Sequence, residues 1–250
     1  MEDLGTLGGT FGQVWWLNNQ GQIVGESNLA GDVYTHAFYW TKGKKMKDLG
    51  TLGGNYSHPS WINSAGEIVG DATLAGDSIV HPTVWKNPNA KIRDLGILAG
   101  EDCGFAEAVN STGQIVGMSQ KGGCRWPAPG MNAVLWENGQ VIDLNKRIPP
   151  DSSLHLAIAL EINDRGVIAG IGVPSGCATQ DMDLCGHAFV LIPSTDGGDA
   201  DAYGQNGESK DIPPAAIPAS TDASIGSPVQ SRTHQEYRYR MPGHVIGPRN

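Results

Sequence analysis

Residues 48–85 read DLGTLGGNYSHPSWINSAGEIVGDATLAGDSIVHPTVW, and this stretch is one period of a repeat. Asp-Leu-Gly stands at 3–5, 48–50 and 94–96, and Asp-Leu-Asn at 143–145, so successive copies begin 45, 46 and 49 residues apart. Ile-Val-Gly stands at 23–25, 68–70 and 115–117, with Ile-Ala-Gly at 168–170. The block His36–Trp40 (HAFYW) returns as His81–Trp85 (HPTVW), Asn132–Trp136 (NAVLW) and His187–Leu191 (HAFVL). Three blocks in one order through four copies mark a repeat architecture.

Each copy divides into four short segments separated by turn signals. The first two bracket Asn18–Gly21, Asn63–Gly66, Asn110–Gly113 or Asn163–Gly166. Asn opens such a turn because its side chain bonds the backbone two residues on, and Gly closes it with positive φ. Apolar runs on either side make each a β-hairpin. In the third segment His36, Phe38 and Trp40 share one face while Ala37 and Tyr39 take the other. Apolar groups on both faces imply burial on both sides. Four strands in about 45 residues is the period of a propeller blade. The expected fold is therefore all-β: a small β-propeller of four such repeats. The fourth copy stops after its third strand, at Leu191–Pro193, while Asp3–Gly5 is an orphan fourth strand. Pairing the two would close the ring and remove an exposed edge. The alternatives are a stretch of a longer ring, or two chains completing eight blades. The repeats occupy 1–193; residues 194–250 are rich in Ser, Pro, Ala, Asp and Gly and are expected to form a disordered tail.

The combination of Asp-Leu-Gly-Thr-Leu-Gly-Gly, Ile-Asn-x-x-Gly-x-Ile-Val-Gly and His-Ala-Phe-x-Trp resembles the HAF-type probable extracellular repeat family of bacterial exported proteins of unknown function. The resemblance spans about residues 3 to 193. It weakens where His81-Pro82-Thr83 and Asn132-Ala133-Val134 replace His-Ala-Phe, and where Lys146–Pro150 replaces Thr-Leu-Gly-Gly. It implies secretion and carries no catalytic residue.

Composition narrows the function classes. The 250 residues hold 17 Lys+Arg against 26 Asp+Glu, a net charge of −9. An acidic chain lacks the electrostatic footprint for nucleic acid. No apolar run approaches the roughly 18 residues of a membrane-spanning helix. Neither an apolar leader nor a basic N-terminal region is visible, so the expectation of an extracellular or cell-surface location rests on cysteines and resemblance.

The four cysteines, Cys103, Cys124, Cys177 and Cys185, fit no metal or C-x-x-C redox spacing. Four cysteines allow three pairings. The loop between second and third strands lies at the same end as the connection from one copy to the next. Cys103 and Cys124 therefore meet there, and Cys177 and Cys185 staple one loop; the alternative is four reduced thiols. The longest and most variable insertions, Asn28–Thr35, Thr73–Val80, Met118–Met131 and Gly172–Gly186, all fall at that end, which points to a binding face.

Candidate ligand contacts are Trp15, Trp16 and Trp61, on inner strands, and Trp126, in an insertion; an exposed indole can stack on a ring. Trp40, Trp85 and Trp136 read as blade core. His36, His81 and His187 recur at one strand position near a recurring Asp and read as structural hydrogen-bonding residues rather than ligands to a metal. No hydrolase, zinc-protease, P-loop or dinucleotide motif is present, and no catalytic residue, cofactor or metal is expected. The leading expectation is a secreted binding or scaffold module for a glycan, peptide or surface protein, as a monomer or ring-completing dimer. The alternatives are a purely structural surface repeat, or a hydrolase or lyase at the channel with Glu26, Asp71 and Glu107 as its acids.

Overall fold

The computed structural model describes residues 1–124 and 128–193. The fold is all-β, four successive antiparallel sheets of like topology. The first holds β1 (Gly8–Leu17), β2 (Gln22–Leu29), β3 (Thr35–Thr41) and β4 (Lys47–Asp48). The second holds β5 (Gly53–Ile62), β6 (Ile68–Leu74), β7 (Val80–Trp85) and β8 (Arg93–Asp94). The third holds β9 (Cys103–Val109), β10 (Ile115–Lys121), β11 (Gly130–Glu137) and β12 (Gln140–Asp143). The fourth holds β13 (Leu154–Ile162), β14 (Ile168–Pro174) and β15 (His187–Leu191). A short helix, α1 (Met182–Cys185), lies in the loop between β14 and β15. Strand order follows chain order within each sheet, and one parallel bridge, Thr35 to Tyr56, links the first sheet to the second.

The repeated motifs acquire distinct physical roles. At each hairpin the Asn Oδ1 accepts two backbone N–H groups, those of Gln20 and Gln22, Ala65 and Glu67, Thr112 and Gln114, or Arg165 and Val167. Its Nδ2 reaches the next sheet: Asn18 donates to the Asn63 carbonyl at 2.9 Å, Asn63 to Asn110 at 3.0 Å, and Asn110 to Asn163 at 3.1 Å. The turn residue thus doubles as an inter-sheet staple. The Gly of each Ile-Val-Gly faces a bulge in the first strand. One extra residue is inserted there: Trp15, Ser60, Glu107 or Leu160. A Cβ on Gly25, Gly70, Gly117 or Gly170 would collide with the carbonyl oxygen of Gln13, His58, Phe105 or Ile158. Glycine is required by this close approach of two backbones.

The core lies between sheets. Val24, Ala37 and Leu49 of the first sheet pack on Ile62, Ile68 and Trp85 of the second. Val69 and Val84 pack on Val109, Ile115 and Trp136 of the third. Val116, Ala133 and Leu144 pack on Leu156, Ile162 and Ile168 of the fourth. Each sheet thus presents a front face of small residues to the rear face of the next, where the larger Ile and Trp sit. Trp85 and Trp136 are core residues as expected, and each donates its indole N–H backwards, to the Leu49 carbonyl at 2.8 Å and the Gly96 carbonyl at 2.9 Å.

The expected ring closure is not seen among the described residues. Residues 1–6 belong to no strand, although the Gly5 N–H bonds the Asp3 side chain as Gly50 bonds Asp48 and Gly96 bonds Asp94. Among the described residues β15 pairs with β14 alone. Burial shows the same opening. Leu17 is 59% exposed, whereas Ile62, Val109 and Ile162 at the equivalent position are 1%, 2% and 7% exposed. Each of those three is covered by the sheet before its own. The expected tail, 194–250, lies outside the described residues.

Candidate functional site

The first two strands of the sheets place four register-equivalent pairs side by side: Gln13 with Glu26, His58 with Asp71, Phe105 with Met118, and Ile158 with Ile171. In the third and fourth sheets this position is apolar. In the first and second it is polar and ionisable. The bulge residue Glu107, and Glu161 one place past the bulge of the fourth sheet, add carboxylates from the other two sheets. A polar cluster where the fold also accepts Phe and Met departs from what core packing requires, and that departure marks a site.

The contacts within it are specific. His58 Nδ1 lies 3.5 Å from an Asp71 carboxylate oxygen, and Asp71 is buried. The Tyr56 hydroxyl donates to Glu26 at 3.2 Å. Trp15 meets the His58 ring edge-on, with centroids 4.9 Å apart. Trp16 and Trp61 stack with centroids 3.9 Å apart at 26°, and Trp16 is 38% exposed. The structure therefore places Trp15, Trp16 and Trp61 of the expected ligand contacts, and Glu26, Asp71 and Glu107, on β1, β2, β5, β6 and β9 of the first three sheets. Trp126 lies outside the described residues.

The electrostatics follow from crowding acids in a partly dry place. Burial raises Glu107 to about 7, and the charges of Asp71 and Glu161 add to it against the opposing pull of His58. Burial also raises Glu26 and Glu161. For His58 burial acts downwards, but the hydrogen bond and charge of Asp71 and the charges of Glu26 and Glu107 outweigh it, so the imidazolium is favoured. Burial and the charges of Asp71 and Glu26 keep the Tyr56 phenol protonated, a fixed donor. The site can thus offer carboxylate acceptors, an imidazolium and phenol as donors, and a proton on Glu107 near neutrality. Among the described residues, no three His, Cys, Asp or Glu side chains are arranged to hold a metal ion.

The histidines of the third strands lie elsewhere. His36 Nδ1 is 3.0 Å from Asp48 and His81 Nδ1 is 2.7 Å from Asp94, each across to the short fourth strand of its sheet. Burial opposes Asp48 ionisation, but the hydrogen bonds of His36 and Gly50 hold its pKa below the usual value. Asn132 turns to Glu101 at 2.5 Å. His187 is exposed and its sheet has no fourth strand among the described residues.

The insertion loops gather at one end of the sheets. Cys103 and Cys124 are bridged, with Cα atoms 5.4 Å apart, and so are Cys177 and Cys185, at 6.3 Å. The Val80 N–H sits 3.2 Å from the Cys124 sulfur, so the bridge also touches the second sheet's loop. Thr179 Oγ1 donates to the Ala128 carbonyl at 2.6 Å, which locks the fourth sheet's loop onto the third's. Beside them opens a cleft of about 560 Å³ lined by Asn132, Asn145, Leu154 and Val173. A larger concavity, about 790 Å³, opens at the turn end between Lys86, Arg93, Gln114 and Arg165. The larger one also carries Trp136, Asp94, Glu137 and Asp164; neither is lined by Trp16, Trp61, Glu26, Asp71 or Glu107.

Sequence reasoning did not single out His58, Tyr56 or Glu161. The signal was present: aligning the four copies sets His58 against Phe105 and Ile158, a charged group where sister repeats are apolar. Compared with known families and with characterised proteins, the chain matches no family model and no individual protein.

Proposed function

We propose that the chain is an exported, propeller-like repeat module that binds a glycan along its inner strands. The observation that carries this reading is the partly exposed Trp16–Trp61 stack, on strands β1 and β5 that pair with the strands of Glu26 and Asp71. An indole face covers the C–H face of a pyranose, and carboxylates accept its hydroxyl protons; apolar platforms with a few convergent polar groups are the ordinary make-up of a ligand site. Two disulfides support an oxidising compartment, as does the resemblance of the repeats to exported proteins. Among the described residues no helix is long and apolar enough to cross a membrane. The four alike sheets, each packed on the last, support the propeller-like description.

Titration of intrinsic tryptophan fluorescence with a panel of neutral and basic oligosaccharides tests the reading. Saturable binding is expected, and Trp16→Ala should weaken it about tenfold, the worth of one aromatic contact. No saturation across the panel, or unchanged affinity in the Trp16→Ala variant, refutes it.

One observation favours hydrolysis as a second reading. Glu107, whose carboxyl burial raises to about 7 in the field of Asp71 and His58, has the character of a general acid with a separate carboxylate partner. Release of reducing ends by the wild type but not by Glu107→Gln would establish it; equal release by both would dismiss it.

A further inference from the structure

The inter-sheet contacts form a series that breaks off at both ends, and the two broken ends are complementary. At the rear of the first sheet Val14 and Leu17 are exposed, where the equivalent residues of later sheets are buried by a preceding sheet. At the front of the fourth sheet Ala169, Ala188 and Val190 are exposed, although Val24, Val69 and Val116, Ala37 and Ala133, and Val84 are buried at the same positions by a following sheet. The asparagine series ends likewise. The Asn18 carbonyl receives no side chain from an earlier repeat among the described residues, and Asn163 Nδ2 has no carbonyl ahead of it. Among the described residues the fourth sheet holds three strands, and Asp3–Gly5 pairs with no strand.

We propose that a second copy of this chain fills both ends, head to tail, so that two chains close one ring of eight sheets. The front of sheet four in one copy then packs on the rear of sheet one in the other, repeating the small-on-large pattern of the three interfaces already inside the chain. Residues Glu2–Gly5 of the second copy supply the missing fourth strand. The register follows from the other sheets, where Phe38 pairs with Asp48, Thr83 with Asp94 and Val134 with Asp143. By that register Phe189 pairs with Asp3 and Val190 with Glu2. His187 then meets Asp3 as His36 meets Asp48 and His81 meets Asp94. Asn163 Nδ2 donates to the Asn18 carbonyl, continuing the series. The contact is heterologous, and two identical joints related by a two-fold axis close it. Eight blades lie within the range of known propellers. In the single copy both complementary faces are exposed, so neither covers the other.

Light scattering on the full chain during size exclusion tests the pairing. The wild type should run at twice the 26.4 kDa chain mass. Leu17→Lys blocks every rear face and Val190→Lys every front face, so each variant alone should fall to 26.4 kDa. Both residues are exposed in the single copy, so neither change disturbs its core. Mixing the two variants leaves one intact rear and one intact front, and should restore a dimer held by a single joint. Four outcomes overturn the proposal: a wild type that stays at the chain mass, a dimer that survives either substitution, a mixture that stays monomeric, or an open series of higher masses.

Discussion

Asn63 offers the sharpest test of how the sheets are held together. Its Oδ1 accepts the N–H groups of Ala65 and Glu67 at 3.0 and 2.9 Å, and its Nδ2 donates to the Asn110 carbonyl of the next sheet at 3.0 Å. The side chain is buried. Asn63→Asp keeps the shape and both accepting bonds of the hairpin but replaces the donor with an oxygen. The lost bond costs about 1 kcal/mol. The new oxygen faces the Asn110 carbonyl and stands near the Glu67 carboxylate, 3.5 Å from the present Nδ2. An unpaired buried carboxylate there adds roughly 1–3 kcal/mol, of which Lys86, ion-paired with Glu67, offsets part. The total is about 3 kcal/mol, or a Tm lower by roughly 6–12 °C for a domain of this size. Ser64→Asp, one residue on and exposed, adds the same charge and should change stability by less than about 0.5 kcal/mol. The sign of the pH dependence is also fixed. Burial raises the pKa of the new carboxyl above its unfolded value, so the deficit is full at neutral pH. It shrinks as pH falls towards about 4, where the protonated group can donate to Asn110 again. Denaturant melts of the three proteins at pH 7 and pH 4 decide the matter. If Asn63→Asp is no worse than Ser64→Asp, or its deficit ignores pH, the staple is not what joins the sheets.

Gly70→Ala places a methyl against the His58 carbonyl, which a backbone bulge cannot yield without losing its pairing; about 3 kcal/mol of stability should go, measured by urea melts, while Gly76→Ala, at an open loop position with positive φ, should cost about 1 kcal/mol. A raised carboxyl favours the folded state below its unfolded pKa, and that stability is lost as pH rises through the folded value. Glu107 therefore takes on the order of 2 kcal/mol from the wild type between about pH 4.5 and 7, and Glu107→Gln should flatten this slope and be the more stable protein at pH 8. Non-reducing peptide maps should link Cys103 to Cys124 and Cys177 to Cys185, and Cys103→Ser with Cys124→Ser should lower stability by about 3 kcal/mol, the entropy of a loop of 21 residues. A map showing four free thiols, in protein made under oxidising conditions, would remove the argument for export.

Much of the fold was legible because the repeat supplies four readings of each position. The hairpin asparagines, the strand order and the core role of Trp85 and Trp136 all follow from motifs that recur in register. A strand's faces alternate by geometry alone, so local pattern suffices for them. The reason for the invariant-looking Gly25, Gly70, Gly117 and Gly170 was not legible: a single residue inserted into a neighbouring strand leaves no periodic trace, yet it brings a carbonyl onto each glycine. The candidate site was half legible. Trp15, Trp16 and Trp61 and the acids Glu26, Asp71 and Glu107 stood out by type and strand, but their meeting with His58 and Tyr56 depends on contacts between residues of three different sheets.

The sequence by itself determined that this protein is a β-repeat of four copies, because turn chemistry and alternation act within a few residues. Only the tertiary structure decided whether those copies close on themselves. That outcome depends on the rotation between one sheet and the next, summed over the three interfaces of the chain, and no local motif records a sum. The same summation leaves Leu17 and Val190 in water and sets Glu107 among other acids, so that the features bearing on partner and ligand arise where local rules no longer reach.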